Sequence, residues 1–316
     1  MTGTSQPEML AADEQGLARA AEILRHGGLV AVPTETVYGL AARADDEAAV
    51  TAIYAAKGRP GFNPLIVHVP DLAAAEHLAR VDERAGLLAR HFWPGALTMV
   101  LPRREQAGLA QAVTAGLPTV ALRCPAHPVM RALLDKCRLP LAAPSANCSG
   151  AVSPTRPEHV LASLGNAVDA IVDGGPSALG LESTIVALRD EGGWALLRPG
   201  PISEAEIAAL LGPPDPIDGG KVRIEAPGQL ASHYSPGKPV RLDAEVAREE
   251  EFHIGFGPIA GDVSLSSSGD LSEAAARLYA VLHEAAQSSK RAVAVAPIPH
   301  DGLGAALRDR LKRAAA

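Results

Sequence analysis

Apolar and polar positions follow two different periods over the first two hundred residues of the chain. Residues 17–24 place apolar side chains at the i, i+3, i+4, i+7 spacing of one helix face, and this pattern stops at Gly27 and Gly28. Residues 28–34 (GLVAVPT) are then apolar almost without interruption, which is typical of a buried strand. The chain therefore begins with a predicted helix followed by a predicted strand.

Capping residues predict a second helix from Asp46 to Lys57. Asp46 suits the N-cap position, and Gly58 followed by Pro60 suits the end of a helix. Further β-rich runs predict strands at Leu65–Val69, Leu97–Leu101, Thr119–Arg123, Leu141–Ala143, Ala170–Val172, Thr184–Leu188 and Ala195–Arg198. Helical patterns lie between several of them, at Leu72–Arg80, Asp82–Phe92, Pro128–Cys137 and Pro157–Leu164. We expect a sheet covered by helices, in an α/β or α+β arrangement whose strand order the spacing leaves open.

The pattern changes after Leu211. Residues 212–239 are rich in Pro and Gly and have no clear period, which predicts a linker. Two strands and two helices are predicted beyond it, at His253–Phe256, Leu271–Ala286, Ala292–Ala296 and Leu303–Arg313. The sequence thus predicts a large domain over residues 1–211, a linker, and a small C-terminal α/β domain over residues 240–316.

Composition indicates a folded and acidic protein of 316 residues. Hydrophobic residues make up 47% and charged residues 21%, which excludes wholesale disorder. Aromatic residues make up only 3%, so aliphatic side chains must build the core. The formal net charge of −7 disfavours a generally basic surface for nucleic acids, although it leaves room for one basic groove.

The cysteines and the apolar runs bear on compartment and metal binding. Cys124, Cys137 and Cys148 show no paired spacing, so neither a zinc cluster nor a disulfide framework is indicated. No signal-peptide pattern opens the chain, and no apolar run approaches the ~18–20 residues of a membrane span. We expect a cytoplasmic protein without a membrane partner.

Two short polar motifs interrupt otherwise apolar stretches, residues 57–60 (KGRP) and 144–147 (PSAN). Neither is needed to build a core, and each follows a regular element, where a loop can direct polar groups at a ligand. The forked donors of Arg59 and the compact charge of Lys57 suit phosphate oxygens, while the second motif adds a hydroxyl and an amide. The motifs favour a nucleotide-using enzyme, although the common Walker and G-x-G-x-x-G phosphate loops are absent.

Several of these residues also have ordinary structural explanations. A lysine in the last turn of a helix, such as Lys57, complements the helix dipole without any ligand. His68, inside a strand, is more often a structural histidine, and lone glycines such as Gly39 and Gly58 are expected in turns. Taken one at a time, these residues leave a structural role open.

Four cations stand at the ends of predicted elements in this acidic chain. They are Lys57, Arg59, Arg123 and Arg198, each beside Gly, Pro or a small polar residue. Scattered surface charges do not usually have this placement, and the convergence of loop ends into one pocket explains it better. We expect the four cations to form a single anion-binding cavity.

Nine segments in a fixed order carry a resemblance to a known family: PTETVYGL (33–40), KGRP (57–60), NPLIVHV (63–69), WPGALT (93–98), VALRCPAHP (120–128), APSAN (143–147), SP (153–154), ESTIV (182–186) and LRPGPI (197–202). Over about residues 15–210 the chain resembles the threonylcarbamoyl-AMP synthase family. That resemblance implies the YrdC-like fold, a twisted mixed sheet covered by helices. Residues 233–236 (HYSP) and the tail resemble the long form of these enzymes, which has a small Rossmann-like C-terminal domain.

The resemblance implies an adenylate-forming nucleotidyltransferase. In the family, L-threonine and bicarbonate give an N-carboxy-threonine, whose carboxylate attacks the α-phosphorus of ATP to yield threonylcarbamoyl-AMP and pyrophosphate, with Mg²⁺ accompanying ATP. The product passes to a separate tRNA threonylcarbamoyl transferase system for the t6A modification of adenosine 37 in ANN-decoding tRNAs. Cations are essential to such a reaction, because two unit charges about 4 Å apart interact by roughly 4 kcal/mol at an effective dielectric of about 20.

The resemblance also implies roles for individual residues. Lys57 and Arg59 would be catalytic. The ATP-binding residues would be Lys57, Arg59, Asn63, Thr119, Ser145, Asn147, Ser153, Arg198 and Tyr234. The threonine-binding residues would be Thr36, His68, Arg123, Ala143 through its backbone, and Ser183. Tyr234 would close over the nucleotide as a lid, with a packed linker aromatic as the alternative, and no residue is expected to bind metal directly.

Two other functions stay open on the sequence. A double-stranded RNA-binding module of the same fold would bind RNA weakly through a basic concave face, with a steep dependence on salt and without ATP turnover. A carbamoyl-transfer domain like that of hydrogenase maturation proteins is disfavoured, because those proteins carry zinc-finger regions and this chain has no cysteine pair.

Overall fold

The computed structural model describes residues 6–215, 225–229 and 232–316. Its strands are β1 Glu8–Ala11, β2 Val30–Val32, β3 Gly39–Arg43, β4 Ile66–His68, β5 Leu97–Pro102, β6 Thr119–Arg123, β7 Leu141–Ala142, β8 Ala170–Asp173, β9 Thr184–Leu188, β10 Trp194–Arg198, β11 Val240–Arg241, β12 Glu251–Gly255, β13 Val263–Ser264 and β14 Ala292–Val295. Its helices are α1 Glu14–Arg25, α2 Glu47–Lys57, α3 Leu72–Leu78, α4 Glu83–Phe92, α5 Gln111–Thr114, α6 Pro128–Cys137, α7 Pro157–Leu164, α8 Glu204–Leu211, α9 Leu271–Gln287 and α10 Leu303–Ala314.

Ten strands form one mixed sheet in the order β1-β8-β2-β3-β7-β4-β6-β5-β9-β10. The sheet contains both parallel pairs, such as β4 with β6, and antiparallel pairs, such as β3 with β7. The remaining four strands form a second sheet, β11-β14-β12-β13, in which every pair is parallel. The mixed α/β architecture with a small second α/β unit confirms the predicted fold class.

Helices cover both faces of the large sheet, so its central strands are buried on both sides. Helices α1 and α6 pack on one face through side chains such as Leu24 and Leu133. Helices α2, α4 and α8 pack on the other through side chains such as Ile53, Leu88 and Ile207. Burying one such aliphatic side chain stabilises the fold by about 1.5–3 kcal/mol. The core is aliphatic, as the low aromatic content predicts.

Helix α2 shows how local sequence positions the first polar motif. The Asp46 side chain accepts hydrogen bonds from the backbone N–H groups of Ala48 at 2.9 Å and Ala49 at 3.1 Å. Gly58 ends the helix with φ 58°, in the left-handed region that glycine adopts without strain. Both predicted caps are confirmed, and they place Lys57 in the last turn and Arg59 just beyond it.

Several elements differ from expectation for physical reasons. Strand β1 is mostly exposed and is held at the sheet edge by backbone pairing with β8, so it needs no apolar pattern. Gly39 lies not in a turn but at the start of β3, where a Cβ atom would be 3.2 Å from the Ala143 Cβ, so its small size permits close approach. Helix α8 was not predicted, although Ser203 and Glu206 form a capping box at its start.

The second unit shares its core with loops of the first. Side chains such as Leu278 and Leu282 of α9 pack in the same cluster as Val37, Val152 and Leu181. Residues 216–224 and 230–231 of the predicted linker lie outside the described residues. The domain boundaries at 211 and 240 therefore stay a prediction, while the contact between the two units is extensive.

Gly180 lies where the first unit meets helix α9. Its φ is +68°, and a Cβ atom there would lie 2.4 Å from the carbonyl oxygen of Ala275 and 2.6 Å from the Cα of Ala276. Gly175 has a similar φ of +75°, but no atom lies within 4 Å of the corresponding position. The two glycines differ in packing and not in backbone conformation.

We predict that Gly180→Ala lowers the free energy of unfolding by roughly 2–4 kcal/mol, because left-handed strain adds to a forced shift of the α9 backbone. Gly175→Ala, the matched control, should cost only about 1–2 kcal/mol of strain. Urea unfolding of the two variants measures the difference. Equal losses would contradict a tight contact at Gly180.

Candidate active site

A cavity lies between the large sheet and the segment that leads into the second unit. Its internal volume is about 50 Å³. Its wall is formed by Thr34, Thr36, Val37, Gly39, Arg59, Ile66, His68, Arg123, Ala143, Pro144, Ser145, Glu182, Ser183, Arg198, Pro227, Gly228, His233 and Tyr234.

The predicted site residues fall into two groups, those that line this wall and those that do not. Those that line it are Thr36, Arg59, His68, Arg123, Ala143, Ser145, Ser183, Arg198 and Tyr234. Those that lie outside it are Lys57, Asn63, Thr119, Asn147 and Ser153. The described structure thus brings residues from eight segments of the chain to one place, and three of the four cations that were predicted to converge line it.

Arg59 turns back across its own loop. Its Nε donates to the carbonyl oxygen of Asn63 at 3.1 Å, and its Nη2 donates to that of Pro64 at 2.9 Å. Burial lowers the pKa of Arg59 to about 10, so the guanidinium stays charged at neutral pH. Carbonyl groups therefore fix this side chain without cancelling its charge.

Lys57 lies one layer behind the cavity wall, which differs from the expectation that all four cations line it. Its Nζ donates to the carbonyl oxygens of Ser145, at 2.5 Å, and of Asn147. Burial lowers the pKa of Lys57 well below its usual value, and the charge of Arg59 adds to the effect. Lys57 holds the loop whose Ser145 faces the cavity, and its direct part in ligand binding stays a prediction.

Arg198, at the end of β10, is fixed by a backbone carbonyl and covered by the linker. Its Nε and Nη2 donate to the carbonyl oxygen of Ser183 at 3.1 and 3.0 Å. Gly228, with φ +83°, lies so close that a Cβ atom would be 2.9 Å from the Arg198 Cδ. Burial lowers the pKa of Arg198. Only a glycine lets the linker backbone lie directly on this arginine.

Arg123, at the end of β6, is held by an acidic partner. Its Nη2 donates to Glu35 Oε1 at 2.5 Å, and its Nη1 donates to Thr36 Oγ1 at 2.9 Å. Its Nε donates to the carbonyl oxygen of Gly95 at 3.2 Å. Burial alone would raise the pKa of Glu35, but the charge and hydrogen bond of Arg123 lower it. An arginine has five N–H donors, so one on each terminal nitrogen stays available for a planar carboxylate.

The parallel strands β4 and β6 separate the predicted residues into two ends. His68 pairs in register with Arg123 where both strands end. Asn63 precedes β4, and Thr119 starts β6 about 13 Å from Arg123 at the usual rise of ~3.3 Å per residue. The residues expected to bind threonine and these two expected to bind ATP therefore lie at opposite ends of one strand pair.

Three buried polar atoms near the cavity have no hydrogen-bond partner among the described residues, Asn63 Oδ1, His68 Nδ1 and His233 Nδ1. Buried polar side-chain atoms are nearly always satisfied in native proteins by protein groups or ordered water. Burial, with help from the Arg123 charge, lowers the pKa of His68 to about 3, so its ring is neutral. Asn63 Oδ1 and His68 Nδ1 are therefore suited to bind a ligand or a water molecule.

Glu182 places a negative charge in the cavity wall. Its Oε1 accepts a hydrogen bond from Ser153 Oγ at 2.5 Å. Its Oε2 accepts from the Tyr279 hydroxyl at 2.7 Å and from Arg310 Nε at 2.8 Å. Burial alone would raise the pKa of Glu182, but the charges of Arg310 and Arg198 lower it to about 2. The carboxylate is ionised at any physiological pH.

Tyr234 closes the cavity from the linker side. Its φ of +65° is uncommon for a bulky residue, and its ring stacks on that of Tyr279 with centroids 5.5 Å apart. Pockets for drug-sized ligands hold roughly 300–1,000 Å³, far more than this cavity. In this conformation, with Tyr234 in its wall, the cavity is too small for a ligand of that size.

Several residues in the cavity wall or bonded to it were not predicted from the sequence. Glu35 and Glu182 each stand beside a predicted residue inside a recognised segment, so adjacency was the available signal. Tyr279 and Arg310 belong to helices whose periodicity predicts a helix and nothing more. Only the fold brings them to the cavity.

The donor set around the cavity does not form a cage for a metal ion. The described residues contain no group of three or more His, Cys, Asp or Glu placed to hold one. Glu35 forms an ion pair with Arg123, and Glu182 forms one with Arg310.

No helix among the described residues has the length and apolar character needed to cross a membrane.

Comparison with known proteins gives matches over nearly the whole chain. A family model described as "Telomere recombination", covering the Sua5, YciO and YrdC proteins, matches residues 22–200. A second model, described as "Threonylcarbamoyl-AMP synthase, C-terminal domain", matches residues 202–316.

Similar proteins cover the same span. The threonylcarbamoyl-AMP synthase of Bacillus subtilis is 39% identical over 97% of this chain and 94% of its own length. That of Pyrococcus abyssi is 37% identical over 96% of this chain and 94% of its own. The crystal structure of P. abyssi Sua5 complexed with L-threonine has a TM-score of 0.88 and 34% identity, and the match covers 98% of each chain.

The buried histidines of the cavity make stability depend on pH. Burial lowers the pKa of His68 and of His233 to about 3, from an ordinary 6.5. Below pH 6.5 these two histidines bind protons in the unfolded chain, whereas in the folded protein they stay neutral until about pH 3. Above pH 6.5 the two histidines therefore do not affect the free energy of unfolding. As the pH falls below 6.5 they lower it progressively.

We predict that the free energy of unfolding decreases between pH 7 and pH 5, by at most ~1.4 kcal/mol per pH unit for each such histidine. Urea unfolding across this range measures the slope. His68→Asn should flatten it, whereas His300→Asn, which removes an exposed histidine, should leave it unchanged. A slope that is the same in His68→Asn and wild type would contradict a neutral buried His68.

Proposed function

The chain belongs to the threonylcarbamoyl-AMP synthase family, and from that membership we propose that its cavity joins L-threonine, bicarbonate and ATP into threonylcarbamoyl-AMP with release of pyrophosphate. The family makes the chain an enzyme of t6A synthesis. The observation that carries the assignment of this reaction to the cavity is its charge. Among the described residues, neither Arg59 nor Arg198 forms a salt bridge with a carboxylate, and both line the same cavity as an arginine whose free donors suit a carboxylate.

We assign the threonine site to the end of β4 and β6. The two free donors of Arg123 suit the α-carboxylate of the amino acid, and Glu35 holds the guanidinium in position. The neutral ring of His68 and the hydroxyl groups of Thr36 and Ser183 suit the polar groups of threonine. This pocket takes a small hydroxylated amino acid, and P. abyssi Sua5 has been crystallised with L-threonine.

We assign the triphosphate to the side of the cavity that holds Arg59 and Arg198. Ser145 lines it, and Lys57 adds positive charge from one layer behind. The unsatisfied Asn63 amide, together with Thr119, suits the nucleoside end of ATP. Asn147 and Ser153 contribute as members of the loops that carry the wall.

The proposed mechanism consists of positioning and electrostatic stabilisation. The amino nitrogen of threonine attacks the carbon of bicarbonate, and a C–O bond breaks with loss of water to leave the carbamate. A carbamate oxygen then attacks the α-phosphorus, whose bond to the β-phosphate oxygen breaks and releases pyrophosphate. Arg59 and Arg198 oppose the charge that gathers as two anions meet, and Arg123 keeps the nucleophile aligned. Such a reaction needs no covalent nucleophile from the protein.

We propose that Tyr234 moves away to admit ATP and then closes again. Its burial between Arg198 and the second unit excludes water from a mixed anhydride that hydrolysis would destroy. A P. abyssi Sua5 variant with a histidine and a tyrosine replaced by alanine has been crystallised, and its structure resembles this chain with a TM-score of 0.88.

We propose that Mg²⁺ arrives with ATP. Mg²⁺ commonly binds substrate phosphates and water with few protein ligands, and the carboxylates near the cavity are already engaged. When bound, the ion would neutralise phosphate charge. We further propose that a tRNA threonylcarbamoyl transferase system takes the product.

An RNA-binding module has no support from the comparisons. The matched relatives are named as synthases over nearly their whole length. The cationic groups of the cavity are also buried, so they do not form a surface for a duplex.

Pyrophosphate release tests the function directly. With ATP, Mg²⁺, bicarbonate and L-threonine together, we expect pyrophosphate to form, and omission of threonine or bicarbonate should abolish it. Mass spectrometry should identify threonylcarbamoyl-AMP. Release that does not depend on threonine would contradict the proposal.

We predict that Arg59→Ala lowers kcat/KM by at least ~100-fold, because it removes a charge aimed at the developing phosphoryl charge. The fold should persist, since the Arg59 guanidinium donates to carbonyl groups of its own loop at 3.1 and 2.9 Å. Arg80→Ala is the charge-matched control, as Arg80 is 66% exposed and pairs only with exposed Asp190. Normal turnover by a folded Arg59→Ala protein would remove Arg59 from the mechanism.

A further inference from the structure

A buried ion pair connects the second unit to the cavity wall. Arg310 of α10 is fully buried, and its Nε lies 2.8 Å from Glu182 Oε2. The Tyr279 hydroxyl, from α9, donates to the same oxygen at 2.7 Å. Two of the three donors to this wall carboxylate therefore come from the second unit, and the third is Ser153 of the first.

Arg310 is fixed on every side. Its Nη2 donates to the carbonyl oxygen of Pro199 at 3.0 Å, and its Nη1 pairs with Asp309 at 2.6 Å. The guanidinium carbon lies 5.4 Å from the centre of the Tyr234 ring. This single side chain thus contacts the turn after β10, the linker aromatic and the cavity wall.

The position of Glu182 creates an electrostatic problem that Arg310 solves. A buried carboxylate without a partner is costly, and here it would also face the proposed triphosphate site. Arg198, a cation of the cavity wall, donates a hydrogen bond to the carbonyl oxygen of Ser183, the residue that follows Glu182. Without Arg310, Glu182 would draw on the charge of Arg198 that the phosphates need.

We propose that the second unit forms part of the nucleotide site, because Arg310 and Tyr279 neutralise and orient Glu182. Glu182 in turn holds the Ser153 hydroxyl, and Arg198 keeps more of its positive charge available for phosphate. Arg310 is a positioning residue that acts through Glu182 and does not touch substrate. This inference rests on the proposed function and adds a specific task for the second unit.

The test uses the full-length protein and a set of variants around the ion pair. Arg310→Met leaves Glu182 ionised without its counter-charge. Glu182→Gln combined with Arg310→Met removes both charges. Tyr279→Phe removes one donor and keeps the ring. Arg308→Met is the matched control on the same helix, because Arg308 pairs at 2.9 Å with Asp243 on the outer side.

For Arg310→Met we expect the KM for ATP to rise about tenfold or more, the ratio that corresponds to 1.4 kcal/mol. The KM for threonine should change much less. The double variant should recover most of the ATP affinity, because no unpaired carboxylate remains. Tyr279→Phe should show a smaller rise in the KM for ATP, and Arg308→Met none.

Three outcomes would overturn the inference. One is an unchanged KM for ATP in a folded Arg310→Met protein. Another is a double variant as impaired as Arg310→Met. The third is equal changes in the KM for ATP and for threonine, which a purely structural role would give. If Arg310→Met does not fold, Tyr279→Phe and the double variant decide between these results.

The failure of the proposed function would look different. If the wild-type protein released no threonine-dependent pyrophosphate, calorimetric binding of a non-hydrolysable ATP analogue to the same variants would still measure the effect of Arg310. Weaker analogue binding in Arg310→Met, recovered in the double variant, would support the inference alone. Equal binding in all variants would contradict it.

Discussion

The structure depends on keeping several buried cations close together without neutralising all of them. Like charges repel strongly where water is excluded, and each buried charge loses its hydration. Backbone carbonyl groups accept hydrogen bonds from Lys57, Arg59 and Arg198 and hold these side chains without neutralising them. Among the buried cations of the described residues, Arg123 and Arg310 have acidic partners, and the roles that we propose for them need a fixed geometry more than a free charge.

The order of the strands gives the cavity that holds these cations two ends. Because β4 and β6 are parallel and in register, the pockets that we propose for the amino acid and for the nucleotide follow each other along the same strand pair. The loop at residues 144–147 and the linker at Gly228 close the space between them. In this proposal the reaction between two anions takes place where the surroundings favour negative charge.

Sequence patterns predicted the parts of this account that depend on local structure. The caps of α2, the strand that ends in Arg123 and the placement of cations at element ends follow from residues near in the chain. Contacts across the sequence could not be predicted. The pairing of Glu35 with Arg123, the position of Lys57 behind the wall and the approach of Arg310 to Glu182 depend on strand order and on the packing of two units, which no local period encodes.

A crystal structure with a non-hydrolysable ATP analogue, Mg²⁺ and L-threonine tests the central claim most directly. The account predicts phosphate oxygens within hydrogen-bonding distance of Arg59 and Arg198, with the threonine carboxylate on the free donors of Arg123 and Tyr234 displaced or closed over the nucleotide. A nucleotide bound on another face of the molecule, with these arginines still bonded only to carbonyl groups and Glu35, would contradict it.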